Sequence, residues 1–135
     1  MNSEDEMSIT NNNEKTILVI DDEQGICDTL ELILKQEGYG VHTVTSGSGA
    51  LIWLRDKKAD IVLLDIKMPD ANGIDVLRDL RKQDKDTIVI ILTAYSTISD
   101  AREAMQLGAY DFITKPFDME LVKTLVRESL LERSE

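Results

Sequence analysis

The 135-residue chain carries 26 acidic against 15 basic residues, a net charge of −11, with 42% hydrophobic residues and six aromatics. That length makes one domain able to bury about two-thirds of its unfolded surface, and that charge argues against direct binding of nucleic acid or an anionic membrane surface. One cysteine, Cys27, and one histidine, His42, leave no internal disulfide and no histidine-built metal site, so any metal would be a hard ion held by oxygen.

Residues 1–14 are polar, rich in Asn and Glu and without periodicity; they read as a disordered tail. The start has neither a basic nor an apolar segment, and no apolar run passes five residues, so neither a signal peptide nor a membrane span is expected and the protein reads as cytoplasmic. From Thr16 the pattern changes. Ile17-Leu18-Val19-Ile20 is a continuous apolar run, which suggests a strand covered on both faces. Ile26, Leu30, Ile33 and Leu34 then repeat at helical spacing, with Gly38 as the stop. A weaker strand over Tyr39–Thr45 carries Val41 and Val44, and Ala50, Leu51 and Leu54 mark a second helix. Ile61-Val62-Leu63-Leu64 is the third strand, and Ile74, Leu77 and Leu80 after Gly73 the third helix. Ile88-Val89-Ile90-Ile91-Leu92 follows, then a helix over residues 97–107 with Ile98, Ala101, Ala104 and Met105 on its apolar face and Gly108 as the stop. The fifth strand spans Tyr110–Thr114, and Asp118 caps a fifth helix with Leu121, Val122 and Leu125 on one side. Five strand–helix units predict an α/β fold, a doubly wound five-stranded parallel sheet, over residues 15–131, with 132–135 a tail or the start of a linker.

Ligands of such sheets bind beyond the carboxyl ends of the strands. There the chain places Asp21, Asp22 and Glu23 after the first apolar run, Asp65 after the third, Thr93 after the fourth and Lys115 after the fifth. Each has an ordinary structural reading: Asp21 and Asp22 as helix caps, Asp65 as the start of the Lys67-Met68-Pro69-Asp70 turn, Thr93 as a cap, Lys115-Pro116 as loop punctuation. Their convergence on one edge is what caps do not explain. Carboxylates about 4 Å apart repel by roughly 4 kcal/mol at an effective dielectric of about 20. A divalent ion relieves this, and Mg²⁺ suits few carboxylates plus carbonyl, water and phosphate oxygens. Lys115 and Thr93 could then hold a phosphoryl group while one carboxylate attacks phosphorus.

These residues resemble a response-regulator receiver domain of two-component signalling over roughly Lys15 to Leu131. The matching motifs are Val19-Ile20-Asp21-Asp22-Glu23, Leu64-Asp65-Ile66-Lys67-Met68-Pro69 with Asn72-Gly73, Leu92-Thr93-Ala94 and Ile113-Thr114-Lys115-Pro116-Phe117. The resemblance implies a flavodoxin-like (βα)5 fold with strand order 2-1-3-4-5. It implies Asp65 as phosphoacceptor, and Mg²⁺ held by Asp21, Asp22, Asp65 and the backbone carbonyl of Lys67. It implies Thr93 as the reorienting hydroxyl, Lys115 as its cationic partner and a cis Lys115-Pro116 bond. The aromatic switch position is Phe112, which lacks a hydroxyl, and Lys67 and Tyr95 occupy positions that tune dephosphorylation. Segments around Gly108-Ala109-Tyr110-Asp111-Phe112 resemble receivers of nitrogen-regulatory transcription activators.

The implied function is a phosphorylation-controlled switch rather than an enzyme acting on a separate substrate. A histidine kinase or phosphotransfer protein is the donor, and an output domain or protein partner is controlled through the fourth helix, fifth strand and fifth helix, which is also a surface for a phosphorylation-dependent homodimer. The alternative is a Mg²⁺-dependent phosphohydrolase with an aspartyl-phosphate intermediate, which needs a substrate pocket and cap. A cofactor-binding flavodoxin-like module would want a Ser/Thr/Gly loop where Asp-Asp-Glu stands. Cys27 reads as a structural thiol, His42 as an exposed strand residue and Trp53 as cover for the second helix.

Overall fold

A computed structural model describes residues 15–94 and 98–134. The elements alternate strictly: β1 (Thr16–Ile20), α1 (Gln24–Gln36), β2 (Gly40–Val44), α2 (Gly47–Asp56), β3 (Ile61–Asp65), α3 (Gly73–Gln83), β4 (Ile88–Thr93), α4 (Ile98–Gln106), β5 (Asp111–Thr114) and α5 (Met119–Ser134). All four strand pairings are parallel, in the order β2-β1-β3-β4-β5, as the resemblance implies. Strand order therefore reverses between β1 and β3, where such sheets open a crevice for ligands.

The continuous apolar runs are strands because both faces of the sheet are covered. On one face Ile17, Val19, Ile61, Leu63, Ile90 and Leu92 pack with Cys27, Leu30 and Leu34 of α1 and Val122 and Val126 of α5. On the other, Leu18, Ile20, Val62, Leu64, Val89 and Ile91 meet Ala50 and Leu54 of α2, Leu77 and Leu80 of α3 and Ala104 of α4. Adjacent residues along a strand thus alternate between two dry cores. β2, at the sheet's edge, has no fully buried residue, which explains its weak sequence signal.

Local signals behave as expected at several helix ends. Gly38 and Gly108 take positive φ angles of 97° and 82° just past α1 and α4. Asp118 accepts from Glu120 N (2.9 Å) at the start of α5, and Ser46 and Asn72, not singled out as caps in the sequence, cap α2 and α3 through bonds from Gly49 N (3.0 Å) and Ile74 N (2.8 Å). Two apolar assignments do not hold. Met105 is 51% exposed and Leu121 45%, because the seams of α4 and α5 run through Ala104 and through Val122 and Val126 instead. A turn of about 100° per residue carries an immediate neighbour off a narrow seam. β5 is also shorter than predicted: Tyr110 N already bonds to Val89 O at 2.7 Å, but the strand begins at Asp111.

Polar ties at the other end of the sheet, unread in the sequence, join distant elements. Asp60 accepts from Thr16 N (2.8 Å) and from Arg133 Nη2 (2.9 Å). Among the described residues, no helix is long and apolar enough to cross a membrane. The tail at 1–14 and Tyr95 lie outside the described residues.

Candidate functional site

The carboxyl ends of β1, β3, β4 and β5 bring the predicted residues together. Asp21 follows β1 and is fully buried; Asp65 ends β3 with 3% exposed; Thr93 ends β4, fully buried; Lys115 follows β5. The Lys115 ammonium lies 2.7 Å from Asp21 Oδ2, 3.3 Å from Asp65 Oδ2 and 3.4 Å from Glu23 Oε1. Its own backbone is fixed by a 2.8 Å bond from Lys115 N to Thr93 O, and the Lys115-Pro116 bond is cis. Asp22 is more open to solvent than Asp21 and Asp65, and one oxygen from each of the three lies within 4.8 Å of the others.

The structural and functional readings of these acids coexist on different oxygens. Asp21 Oδ1 accepts from Glu23 N at 2.9 Å and so shapes the entry to α1, while Oδ2 faces Lys115. Asp65 Oδ1 accepts from Lys67 N at 3.0 Å and so starts the turn, while Oδ2 also faces Lys115. Asp21 Oδ2 is held by its 2.7 Å ion pair with the Lys115 ammonium and has no further polar partner among the described residues. Three carboxylates whose oxygens converge within 4.8 Å, two of them buried, fit a hard divalent cation.

Electrostatics follow from this packing. Burial pushes the Asp65 carboxyl up to about 6; Lys115 opposes that shift, and Asp21 adds to it. Burial pulls the Lys115 ammonium down, but its hydrogen bond and charge contact with Asp21, and then with Asp65, outweigh this and hold it above its ordinary value. Cys27 lies directly beneath, its thiol donating to Asp21 O at 3.3 Å. Burial and then Asp21 push it up to about 11, the state of an inert structural thiol. His42 is exposed on β2 and stacks on Trp53 at 5.4 Å between ring centroids.

Phe112 is half-buried on β5 and packs against the core shared with α2, α3 and α4. Sequence reasoning left four site neighbours without a role. Glu23 is a third carboxylate on Lys115. Gly73 allows a close approach: a Cβ there would stand 2.4 Å from Asp65 O and 2.6 Å from Ile66 Cα. Asp70 accepts from Gly47 N (3.1 Å) and Ser48 N (3.2 Å), tying the loop after β3 to the start of α2. Asp100 pairs with Lys67 at 3.4 Å. Glu23 stands in the acidic run after β1 and the Asn72-Gly73 step is a visible turn signal, but no local pattern announces the roles of Asp70 and Asp100.

Comparison with known proteins adds an independent line. The family described as response regulator receiver domain matches residues 17–127. The chain is 36% identical over 114 residues to the regulatory protein AtoC of Escherichia coli strain K12, covering 84% of this chain and 25% of that protein. The chain spans between a quarter and a half of the length of the curated relatives it matches. In structure it is similar to a CheY-like receiver domain protein from Methanospirillum hungatei (TM-score 0.87, 28% identity, 89% of this chain and 96% of that one). It is also similar to the response regulator TrrA of Thermotoga maritima, solved in complex with Mg²⁺ and BeF (TM-score 0.76, 36% identity, 84% and 97% covered).

Proposed function

Because this chain belongs to the response regulator receiver domain family of two-component systems, we propose that it is a phosphoacceptor switch whose acceptor is Asp65. The observation that carries this reading is the convergence of Asp21, Asp22 and Asp65 within 4.8 Å of one another at the sheet's switch point, with the Lys115 ammonium paired to Asp21 and Asp65. In this reading residues 15–131 form the receiver unit, with 1–14 a tail and 132–135, whose first three residues close α5, a tail or the start of a linker.

Asp21, Asp22, Asp65 and the Lys67 carbonyl would hold Mg²⁺, which would neutralise the carboxylates and supply coordination for phosphoryl oxygens. The protein's own residues supply the remainder. An Asp65 carboxylate oxygen attacks phosphorus, a new P–O bond forms, and the bond to the donor breaks with its electron pair leaving on the donor. The donor is a phosphohistidine of a kinase or phosphotransfer protein, or acetyl phosphate, which departs as acetate. Lys115 then pairs with a phosphoryl oxygen, and the Thr93 hydroxyl donates a hydrogen bond to another. Phe112 follows by moving as a packing group, since it has no hydroxyl to bond.

The result is a shift between two conformations, read at the face of α4, β5 and α5 by an output domain, a partner or a second copy. ZraR of Klebsiella oxytoca, a transcriptional regulatory protein, is much longer than this chain, which supports control of transcription as the output.

Intact-mass spectrometry after incubation with acetyl phosphate and Mg²⁺ tests this directly. The expected result is one phosphoryl group on the wild type, none without Mg²⁺ and none on Asp65→Asn. A wild type that gains no phosphoryl group from acetyl phosphate or a kinase, and binds no beryllofluoride, overturns the reading.

A further inference from the structure

The loop after β3 and helix α3 present three cations in a row to α4. Lys67 Nζ is 3.4 Å from Asp100 Oδ2; Arg78 pairs with Glu103; Arg81 donates to Leu107 O at 2.7 Å and to Gly108 O at 3.0 Å. Ala104 is fully buried among the described side chains of this helix. The polar ties that join it to its neighbour are not equivalent. Arg81 binds neutral carbonyls and is itself locked to Thr87 O at 2.6 Å, so a change of charge elsewhere does not compete for it. Arg78 is shared with Asp75. Lys67 stands two residues from Asp65, whose Oδ1 accepts the Lys67 backbone N–H at 3.0 Å.

From this geometry we propose that Lys67 carries the state of Asp65 to α4: it holds the first turn of α4 through Asp100 while Asp65 is unmodified, and a phosphoryl group on Asp65 draws it away. The proposal rests on the phosphoacceptor reading above. An aspartyl phosphate carries about −1.5 to −2 where the Asp65 carboxylate carried −1, beside the Lys67 backbone and against the single charge of Asp100. The Lys67 side chain is 52% exposed on a flexible four-carbon stem, so it can turn, whereas Lys115 is already enclosed by Asp21, Asp65 and Glu23. With Lys67 gone, the first turn of α4 opens while its far end stays pinned by Arg81 beside Gly108, so the helix pivots rather than unfolds. An ion pair of this exposure holds its partner only about two- to fivefold, which suits a tie that must break in response to a signal.

Amide hydrogen exchange on the full chain tests this. In the unmodified protein, Asp100→Asn and Lys67→Met are each expected to raise exchange about two- to fivefold in residues 100–103. Leu107, Gly108 and the sheet should stay unchanged, the double variant should add nothing, and Lys67→Arg should retain protection. Beryllofluoride with Mg²⁺ should bring the wild type to the level of the variants and move the variants no further. Unchanged exchange in the single variants, additive effects, or a uniform rise across the sheet would overturn the proposal, as would a beryllofluoride-bound wild type with α4 unaltered. Intact mass after acetyl phosphate is scored separately: a wild type that takes no phosphoryl group sinks the acceptor reading and the drawing-off step, while the unmodified variants still decide the tie between Lys67 and Asp100.

Discussion

Asp65 has 3% of its surface exposed, faces Asp21 and Lys115, and is pushed up to about 6 by burial. A carboxyl raised in the folded state binds its proton more tightly there than in the unfolded chain. In Mg²⁺-free solution stability therefore falls as pH rises from about 4 to about 6, and stays lower above that. Asp65→Asn removes the penalty: at pH 7 without Mg²⁺ it should stabilise the protein by on the order of 1–3 kcal/mol, several degrees in melting temperature, with almost no gain at pH 4. Thermal melts at the two pH values check this, and destabilisation at pH 7 would refute the electrostatic account. Lys115 works in the opposite direction, so Lys115→Met should move the Asp65 titration above about 6, measured by carboxyl-carbon NMR without Mg²⁺. At this scale Asp21, Asp65 and Thr93 were legible because each directly follows an apolar run, Asp22 and Glu23 because they extend the first of these acids, and Lys115 because it follows the fifth strand. The partner Asp100 was not, since an acid on a polar helix face looks the same whether or not a cation stands opposite it.

Each element near the site is fixed by contacts its own sequence does not contain. Gly73 begins α3 pressed against the Asp65 carbonyl, with room for no Cβ, and Gly73 N bonds to Ile66 O at 2.7 Å. Gly73→Ala should cost upward of about 2 kcal/mol, a value typical of forced backbone displacement, measured by urea unfolding. Helix α2 starts on its own cap, Ser46, and on Asp70 from the loop after β3. Asp70→Ala should speed exchange of the Gly47 and Ser48 amides, and Asp70→Asn, which keeps an acceptor, should largely restore protection. The Ser46 and Asn72 caps could be read locally, whereas the bond from Asp70 to Gly47 depends on two loops meeting across the sheet's edge. Helical periodicity erred where the seam is narrow, placing Met105 and Leu121 inward although both are about half exposed.

The whole molecule is one sheet between two cores, and this was the most legible level, because uninterrupted β-branched runs are compatible with few other arrangements. Leu63 and Leu64 are adjacent and both fully buried, yet they belong to opposite cores. Leu63→Ala and Leu64→Ala should each cost about 2–5 kcal/mol. Trp53 packs against only the Leu64 side, yet its fluorescence should report the Leu63→Ala transition at the same denaturant concentration as far-UV circular dichroism, since the shared sheet couples both cores. The strand order carries a further consequence for how the chain is made. β1 is synthesised early but lies inside the sheet, with Thr16 beside Gly40 on one side and Ile17 beside Ile61 on the other. A nascent chain that has not yet delivered β3 therefore leaves β1 with an open edge and an apolar surface. Every pairing in this sheet spans a whole crossover, so loop closure precedes any reward from strand contacts. The interval between the emergence of Thr16 and that of Asp65 is the period in which this acidic protein is most exposed to mispairing.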